Sequence, residues 1–269
     1  MMLKNPRDAY YGHDPENVFL AVDERSGQTM GSCIVEGKNC DTMFPQQPYH
    51  VKLTIQGEND VMDTLMGAAL GRARVLCADK NVAARIYADC PPDDEKLLEM
   101  LKQYGFRDND GVVRMSLDLP ARGQYRAPAG CVLIRDALED AAERKLFLGR
   151  WNSLFSTKND QEWLAEFIDH DNFQRLLTVA PTGMAGEIVT WTENGAGVIA
   201  FIQTARRWRG MGVAGYMLSL ACDNLRMQGV RKVYADVRAR TPHILHTMES
   251  FGFIQKELIR RYPGIDIAE

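Results

Sequence analysis

Residues 206–217 read RRWRGMGVAGYM. Arg206, Arg207 and Arg209 surround Trp208, and Gly210, Gly212 and Gly215 follow within six positions. This grouping suits an anion. Glycine has no Cβ, so a ligand can lie directly against the backbone. Successive N–H groups at a helix start form a cradle for phosphate, aided by the helix dipole. Arginines beside the turn add charge-assisted hydrogen bonds. The chemistry is that of a pyrophosphate site. The plain alternative is a solvated basic loop with a tight turn.

The same glycines spell GxGxxG, and the acidic Asp236 ends the next strand, which is the dinucleotide-binding pattern. Two features oppose that reading. In the dinucleotide fold the glycines follow their strand directly, whereas here ARRWR intervenes. That fold also needs further strand–helix units, and only one helix and one strand follow Asp236. Elsewhere, Glu193 sits beside the hairpin signal ENGAG. It reads either as a base acting through water or as an exposed turn carboxylate, and Glu187 on the preceding strand is similar. His243 and His246 lie three apart on a helix, but no third ligand is nearby, so no metal site is expected.

The elements that position these residues come from a repeat. IYAD at 86–89 returns as VYAD at 233–236, and YGF at 104–106 returns as FGF at 251–253, both 147 residues later. Each first motif ends a short apolar strand. Each second motif follows an amphipathic helix, DEKLLEMLKQ or PHILHTMES, the latter with Thr241 and Pro242 as N-cap and first-turn residue. Upstream, VFLAVDERSGQTMGSCIVE and RLLTVAPTGMAGEIVTW both read as strand, turn, strand, with Gly31 and Gly186 in similar places. The expected fold class is therefore α/β, as two units that are each a mixed β-sheet flanked by helices. The boundaries are 1–118, a linker at 119–129 rich in proline and glycine, and 130–269. The second unit reads strand, two helices, three strands, helix, strand, helix, strand. The first lacks room for the opening strand and its two helices. Tyr234 and Asp236 recur as Tyr87 and Asp89, which favours a structural role. Trp151, Trp163 and Trp191 read as core residues.

Composition bounds the partners. The chain has 269 residues, 45% of them hydrophobic, and a net charge of −4, which argues against a general nucleic-acid binder. The N-terminus shows no apolar run and no stretch reaches membrane-span length. The six cysteines include no CxxC pair. They read as reduced core thiols of a cytoplasmic protein.

Arg207-x-x-Gly210-x-Gly212, between an apolar strand and a helix, resembles the R/Q-x-x-G-x-G/A signature of the GNAT superfamily of N-acetyltransferases. The element order and the GF after the last helix also match. The resemblance spans 130–269 and, more weakly, 17–118. It implies acetyl-CoA or a related acyl-CoA as cosubstrate. The pyrophosphate would lie on backbone N–H groups of Arg209, Gly210, Met211, Gly212, Val213 and Ala214, with Arg207 beside them. The pantetheine arm would run along Ile202, Gln203 and Thr204, and Trp208 would cover the adenosine or pack on the helix. The acceptor would be a small-molecule or peptide amine. At the repeat offset, Arg207, Gly210 and Gly212 correspond to Asp60, Asp63 and Leu65, so the first unit is expected to bind no CoA in this way.

The family often supplies a tyrosine, five residues before the Phe of GF, as the acid for the leaving thiolate. Here that position is Met248, and Leu101 in the first unit. Its frequent asparagine at the start of that helix is Thr241. His246, two residues from the missing tyrosine, is a replacement or a solvent-exposed helix residue. Two classes stay open: an N-acyltransferase, with Glu193 as its candidate base, and a CoA-binding regulatory module with weak catalysis.

Overall fold

The computed structural model describes residues 1–121, 125–155 and 157–268, so positions 122–124 of the linker lie outside the described residues. The chain runs through β1 (Met2–Lys4), β2 (Val18–Val22), β3 (Thr29–Asn39), β4 (Tyr49–Gly57), α1 (Asn59–Lys80), β5 (Ala84–Ala88), α2 (Glu95–Gln103) and β6 (Gly111–Asp118). It continues with β7 (Val132–Asp136), α3 (Ala141–Phe155), α4 (Gln161–Ile168), β8 (Gln174–Ala180), β9 (Gly183–Glu193) and β10 (Ala196–Thr204). Then follow α5 (Val213–Met227), β11 (Lys232–Arg238), α6 (Pro242–Phe251), β12 (Ile254–Arg261) and β13 (Gly264–Ile267). Among the described residues, no helix is long and apolar enough to cross a membrane.

These elements form two mixed α/β units. One holds Met1–Gly111 and the C-terminal segment from Arg260; the other holds Val112–Ser153 and Thr157–Ile259. The first has a sheet of order β1-β2-β3-β4-β5-β13, antiparallel except where β4 meets β5. Helix α1 lays Val61, Leu65, Ala69, Ala73 and Cys77 on its core, a four-residue spacing that keeps one face inward. Gly31 lets α1 close on the sheet, because a Cβ there would stand 2.8 Å from the Leu65 side chain. Helix α2 is capped by Asp94, whose carboxylate accepts from the Leu97 N–H at 2.9 Å. The last strand is fastened by Arg85, which is fully buried and donates to Asp266 at 2.7 Å, Asn109 at 2.8 Å and the Tyr262 carbonyl at 3.0 Å.

The second sheet has the order β12-β6-β11-β10-β9-β8-β7. Its β6 precedes the linker in sequence yet pairs antiparallel with β11 over seven residues, Lys232↔Asp118 to Arg238↔Val112. Each sheet thus contains a strand from the other half of the chain. One face of this sheet packs on α5 and α6 through Met115, Ile199, Met217, Val233, Met248 and Phe251. The other packs on α3 and α4 through Phe147, Leu164, Phe167 and Val189, with Trp151, Trp163, Trp191 and Phe201 around them. The three tryptophans are half-buried and pack against this cluster from its rim. The β9–β10 hairpin turns at Asn194 and Gly195, whose φ of 51° and 77° fit a two-residue turn of the expected kind.

Thr241 is the N-cap of α6 and Pro242 its first residue. Its hydroxyl, however, donates to the Arg238 carbonyl at 2.6 Å and caps no N–H of the helix. Four cysteines are buried and Cys40 and Cys131 half-buried, all free. Burial pushes the Cys33 and Cys222 thiols up to about 12, which keeps them protonated and unreactive.

Candidate active site

The site is built where two strands part. β10 and β11 run parallel only from Gly197↔Val233 to Ile199↔Ala235. A bulge between Ile199 and Phe201 then bends β10, which continues beside β9 to Thr204↔Gly186. The edge of β10 from Ala200 to Thr204 therefore loses its β11 neighbour and opens a slot. Alternation sends Phe201 and Gln203 to the α3–α4 face and Ile202 to the α5–α6 face.

The arginine–glycine loop stands at the open end of this slot. Arg206–Trp208 form one 3-10 turn, and Gly212 is the N-cap of α5. Gly210 and Gly212 hold φ of 77° and 79°, and each has open space where a Cβ would point. Such φ values favour glycine. The Met211 N–H is bonded to the Trp208 carbonyl and the Tyr216 N–H to the Gly212 carbonyl. Among the described residues, the N–H groups of Gly210, Gly212, Val213, Ala214 and Gly215 have no acceptor. Orphan donors at a helix N-terminus, next to Arg207 and Arg209, fit a bound phosphate. Arg207 is exposed and anchored by donating to the Thr182 carbonyl; Arg209 reaches the Thr204 carbonyl at 3.4 Å. Met211 is exposed, while Trp208 packs half-buried on the α5–α6 core.

Helix α5 is held close to the sheet by Gly186, where a Cβ would meet Met217 at 2.6 Å and Val213 at 2.7 Å. Gly215 plays a different part from the one GxGxxG suggests. A Cβ on it would stand 2.4 Å from the Tyr125 ring, which stacks on Phe251. The third glycine accommodates the linker tyrosine, not a strand. With a largely antiparallel sheet around it, the motif is not a dinucleotide fingerprint.

Behind β10 lies an ionic network that the sequence reading left unassembled. Glu187, 1% exposed, accepts from Arg175 Nε at 2.5 Å, Arg150 Nη2 at 3.2 Å and Gln203 Nε2 at 2.8 Å. Arg175 also donates to Asp136. A carboxylate ringed by two guanidinium groups is locked as an ion-pair partner, so Glu187 orders Gln203 and Arg150. The available signal was a charge inside an apolar strand, at Arg175 in FQRLLTVA and Glu187 in GEIVTWT.

Glu193 is exposed at the end of β9, opposite Ala196 at the start of β10, and Ala196 is roughly 25 Å along the strand from Thr204. The structure does not bring it to the phosphate cradle. His246 is exposed, with its Nε2 at 3.4 Å from the Ser250 hydroxyl. Met248 is fully buried among apolar side chains. His243 belongs to the cradle's surroundings: partial burial first, and the Arg209 charge second, hold its pKa below the ordinary histidine value. Asp236, the first residue past the last β10–β11 pair, is gripped by Arg114 at 2.9 and 3.0 Å. Its counterpart Asp89 is gripped by Arg260 at 2.8 Å, so both copies use this carboxylate to join strands.

The model of the Acetyltransferase (GNAT) family matches residues 133–253, so this stretch of the chain is similar to that family. The crystal structure of a GCN5-related N-acetyltransferase from Sphaerobacter thermophilus is 17% identical, with 95% of this chain and 82% of that one covered and a TM-score of 0.51. A probable N-acyltransferase from Enterococcus faecalis V583 is 12% identical, with 91% and 61% covered and a TM-score of 0.57. A glucosamine N-acetyltransferase region of a fungal multi-domain β-N-acetylglucosaminidase is 17% identical, with a TM-score of 0.52; this chain is covered to 97% and spans 38% of it. At these identities the likeness is one of fold. No curated protein matches the sequence.

The first unit departs from this plan where the notable loop should be. β4 ends at Gly57 and α1 begins at Asn59, so Glu58 alone joins them. Glu58 is the N-cap, the place Gly212 holds in the second unit. Asp60, Asp63 and Leu65 thus lie inside α1 and do not take the places of Arg207, Gly210 and Gly212. Leu65 is buried, and Asp63 accepts from the Tyr104 hydroxyl. The repeat offset fails here because a whole loop is missing, not because its residues were exchanged.

Proposed function

We propose that the chain is an acyl-CoA-dependent N-acyltransferase that moves acetyl from acetyl-CoA to a primary amine of a small molecule or peptide. The observation that supports this best is the set of five acceptor-free N–H groups at the start of α5, at the mouth of the β10–β11 slot. Acetyl-CoA supplies an activated thioester carbonyl and a thiolate leaving group. The N–H groups of Gly210, Gly212, Val213 and Ala214, with the side chains of Arg207 and Arg209, hold its pyrophosphate, whereas the N–H groups of Arg209 and Met211 are spent on the Arg206 and Trp208 carbonyls; the open edge at Ile202–Thr204 receives its amides as an added strand. The thioester then lies near Ala200, at the apex where the strands meet. The acceptor amine must lose a proton before or during attack. Glu193, at the end of β9 and paired with Ala196, is the base under this reading, acting through a file of waters along the four β10 residues to Ala200. Its carboxylate forms no ion pair among the described residues, unlike that of Glu187. With Met248 buried, the thiolate leaves unassisted, with a water, or with His246. A free thiol has a pKa only about two units above neutral, so unassisted departure is chemically reasonable.

Calorimetry tests the reading. The protein should bind one acetyl-CoA per chain, more weakly as salt rises. Gly212→Glu should abolish binding by placing a carboxylate over the N–H cradle; unchanged affinity would remove the assignment. Turnover with acetyl-CoA across an amine panel then separates an enzyme from a CoA-binding regulatory module, the second reading that the buried Met248 favours. Glu193→Gln should lower kcat by about tenfold or more if it is the base.

A further inference from the structure

The first unit repeats the parting of strands without the phosphate loop. The parallel β4–β5 ladder ends at Leu53↔Ala88, while β4 runs on to Gly57. A cavity of about 240 Å³ opens at that point. Its walls differ in character. Ile55, Met66, Leu97 and Met100 line it on the α1–α2 side, whereas Lys52, Thr54 and Asp89 give it a polar side. Alternation along β4 produces this division, since Leu53 and Ile55 face the helices and Lys52 and Thr54 the opposite face. The two methionines are soft, adaptable walls for an apolar tail.

Charge selects the head group. Asp89 takes its close contact from Arg260 at 2.8 Å, and Lys52 stands off at 3.8 Å. Two cations thus share one carboxylate. Glu36, paired with Lys52 across the strands, has its carboxylate 3.7 Å from His13. Lys52 is therefore a loosely held ammonium on the cavity wall. A nucleotide is disfavoured, because Glu58 replaces the loop of N–H donors and Asp60 stands in the first turn of α1. We infer that this cavity binds a small carboxylate with an unbranched apolar tail and no phosphate. The tail enters between the parted strands against Ile55, Leu97 and Met100, over the buried Met66, and the carboxylate meets Lys52 and the Thr54 hydroxyl.

Hexanoate and hexylamine are the probes, titrated into the full chain by calorimetry. Hexanoate should bind with a Kd of about 1 mM or tighter, and hexylamine at least about tenfold more weakly. Lys52→Gln, at a half-exposed position that leaves the core intact, should weaken hexanoate by about tenfold. Met100→Trp should fill the cavity and abolish binding. Acetyl-CoA affinity should be unchanged in both variants, which separates this site from the one in the second unit. Absence of hexanoate binding, equal binding of hexylamine, or an unaltered hexanoate affinity in Lys52→Gln would each overturn the inference.

Discussion

His243 lies within the field of Arg209, which stands in the loop before α5. Burial and Arg209 depress its pKa in the folded protein, so the folded state binds this proton less tightly than the unfolded chain. Stability from this group therefore rises with pH through the window below the ordinary histidine value, and falls as pH drops through it. Bound phosphates beside Arg209 reverse the local field and favour the charged imidazole. Acetyl-CoA binding near pH 6.5 should take up protons through this residue. Calorimetry in buffers of different ionisation enthalpy should show a smaller uptake in His243→Ala than in the parent. An identical proton count in the two would place His243 away from the ligand. Glu187→Gln is the second residue-scale test. It leaves Arg175, 1% exposed, with Asp136 and the more distant Glu143 at 3.7 Å, and should destabilise by about 3 kcal/mol, read from a denaturant midpoint. A loss below about 1 kcal/mol would mean that Asp136 and Glu143 suffice.

At the scale of elements, the position of α5 decides whether the loop can work. Val213 and Met217 sit over Gly186 at a distance no Cβ permits. Gly186→Ala should push the first turn of α5 from β9, cost about 1–3 kcal/mol, and weaken acetyl-CoA even though residue 186 touches no ligand. An unaltered melting temperature together with full affinity would show that α5 can shift freely. The glycine was visible in the sequence as a counterpart of Gly31, and the structure gives both the same duty, at Leu65 and at Val213. Elements with strong local signals were legible, among them α2, α4, the β9–β10 hairpin and the helix after the motif. Their periodicity, caps and turn residues are local properties of the chain. The bulge at Ile199–Phe201 was not legible, since it depends on which strand pairs with which.

At the scale of the molecule, two strands join the sheet of the other half of the chain. β6 lies before the linker yet stands between β11 and β12, and β13 ends the chain yet pairs with β5. A fragment of residues 130–269 would expose the full edge of β11 and lose Met115 and Leu117 from its core. It should not fold alone. Circular dichroism and amide exchange on that fragment, with and without a peptide of residues 107–121, should show protection only with the peptide. A fully protected fragment by itself would make β6 dispensable.

What the sequence determined by itself was chemistry and local form. Three arginines and two glycines before a helix gather N–H donors, a dipole and fixed charges within a few residues, wherever that helix lies. Tertiary structure decided everything that depends on distant partners. Only in the fold does Glu187 find Arg150 and Arg175, Gly215 meet Tyr125, and Arg85 hold Asp266 from the far end of the chain. Strand exchange was likewise beyond reach, because β6 and β13 carry the same alternation whichever sheet they join. Pairing energy depends on the neighbour, and the neighbour is not written in the strand.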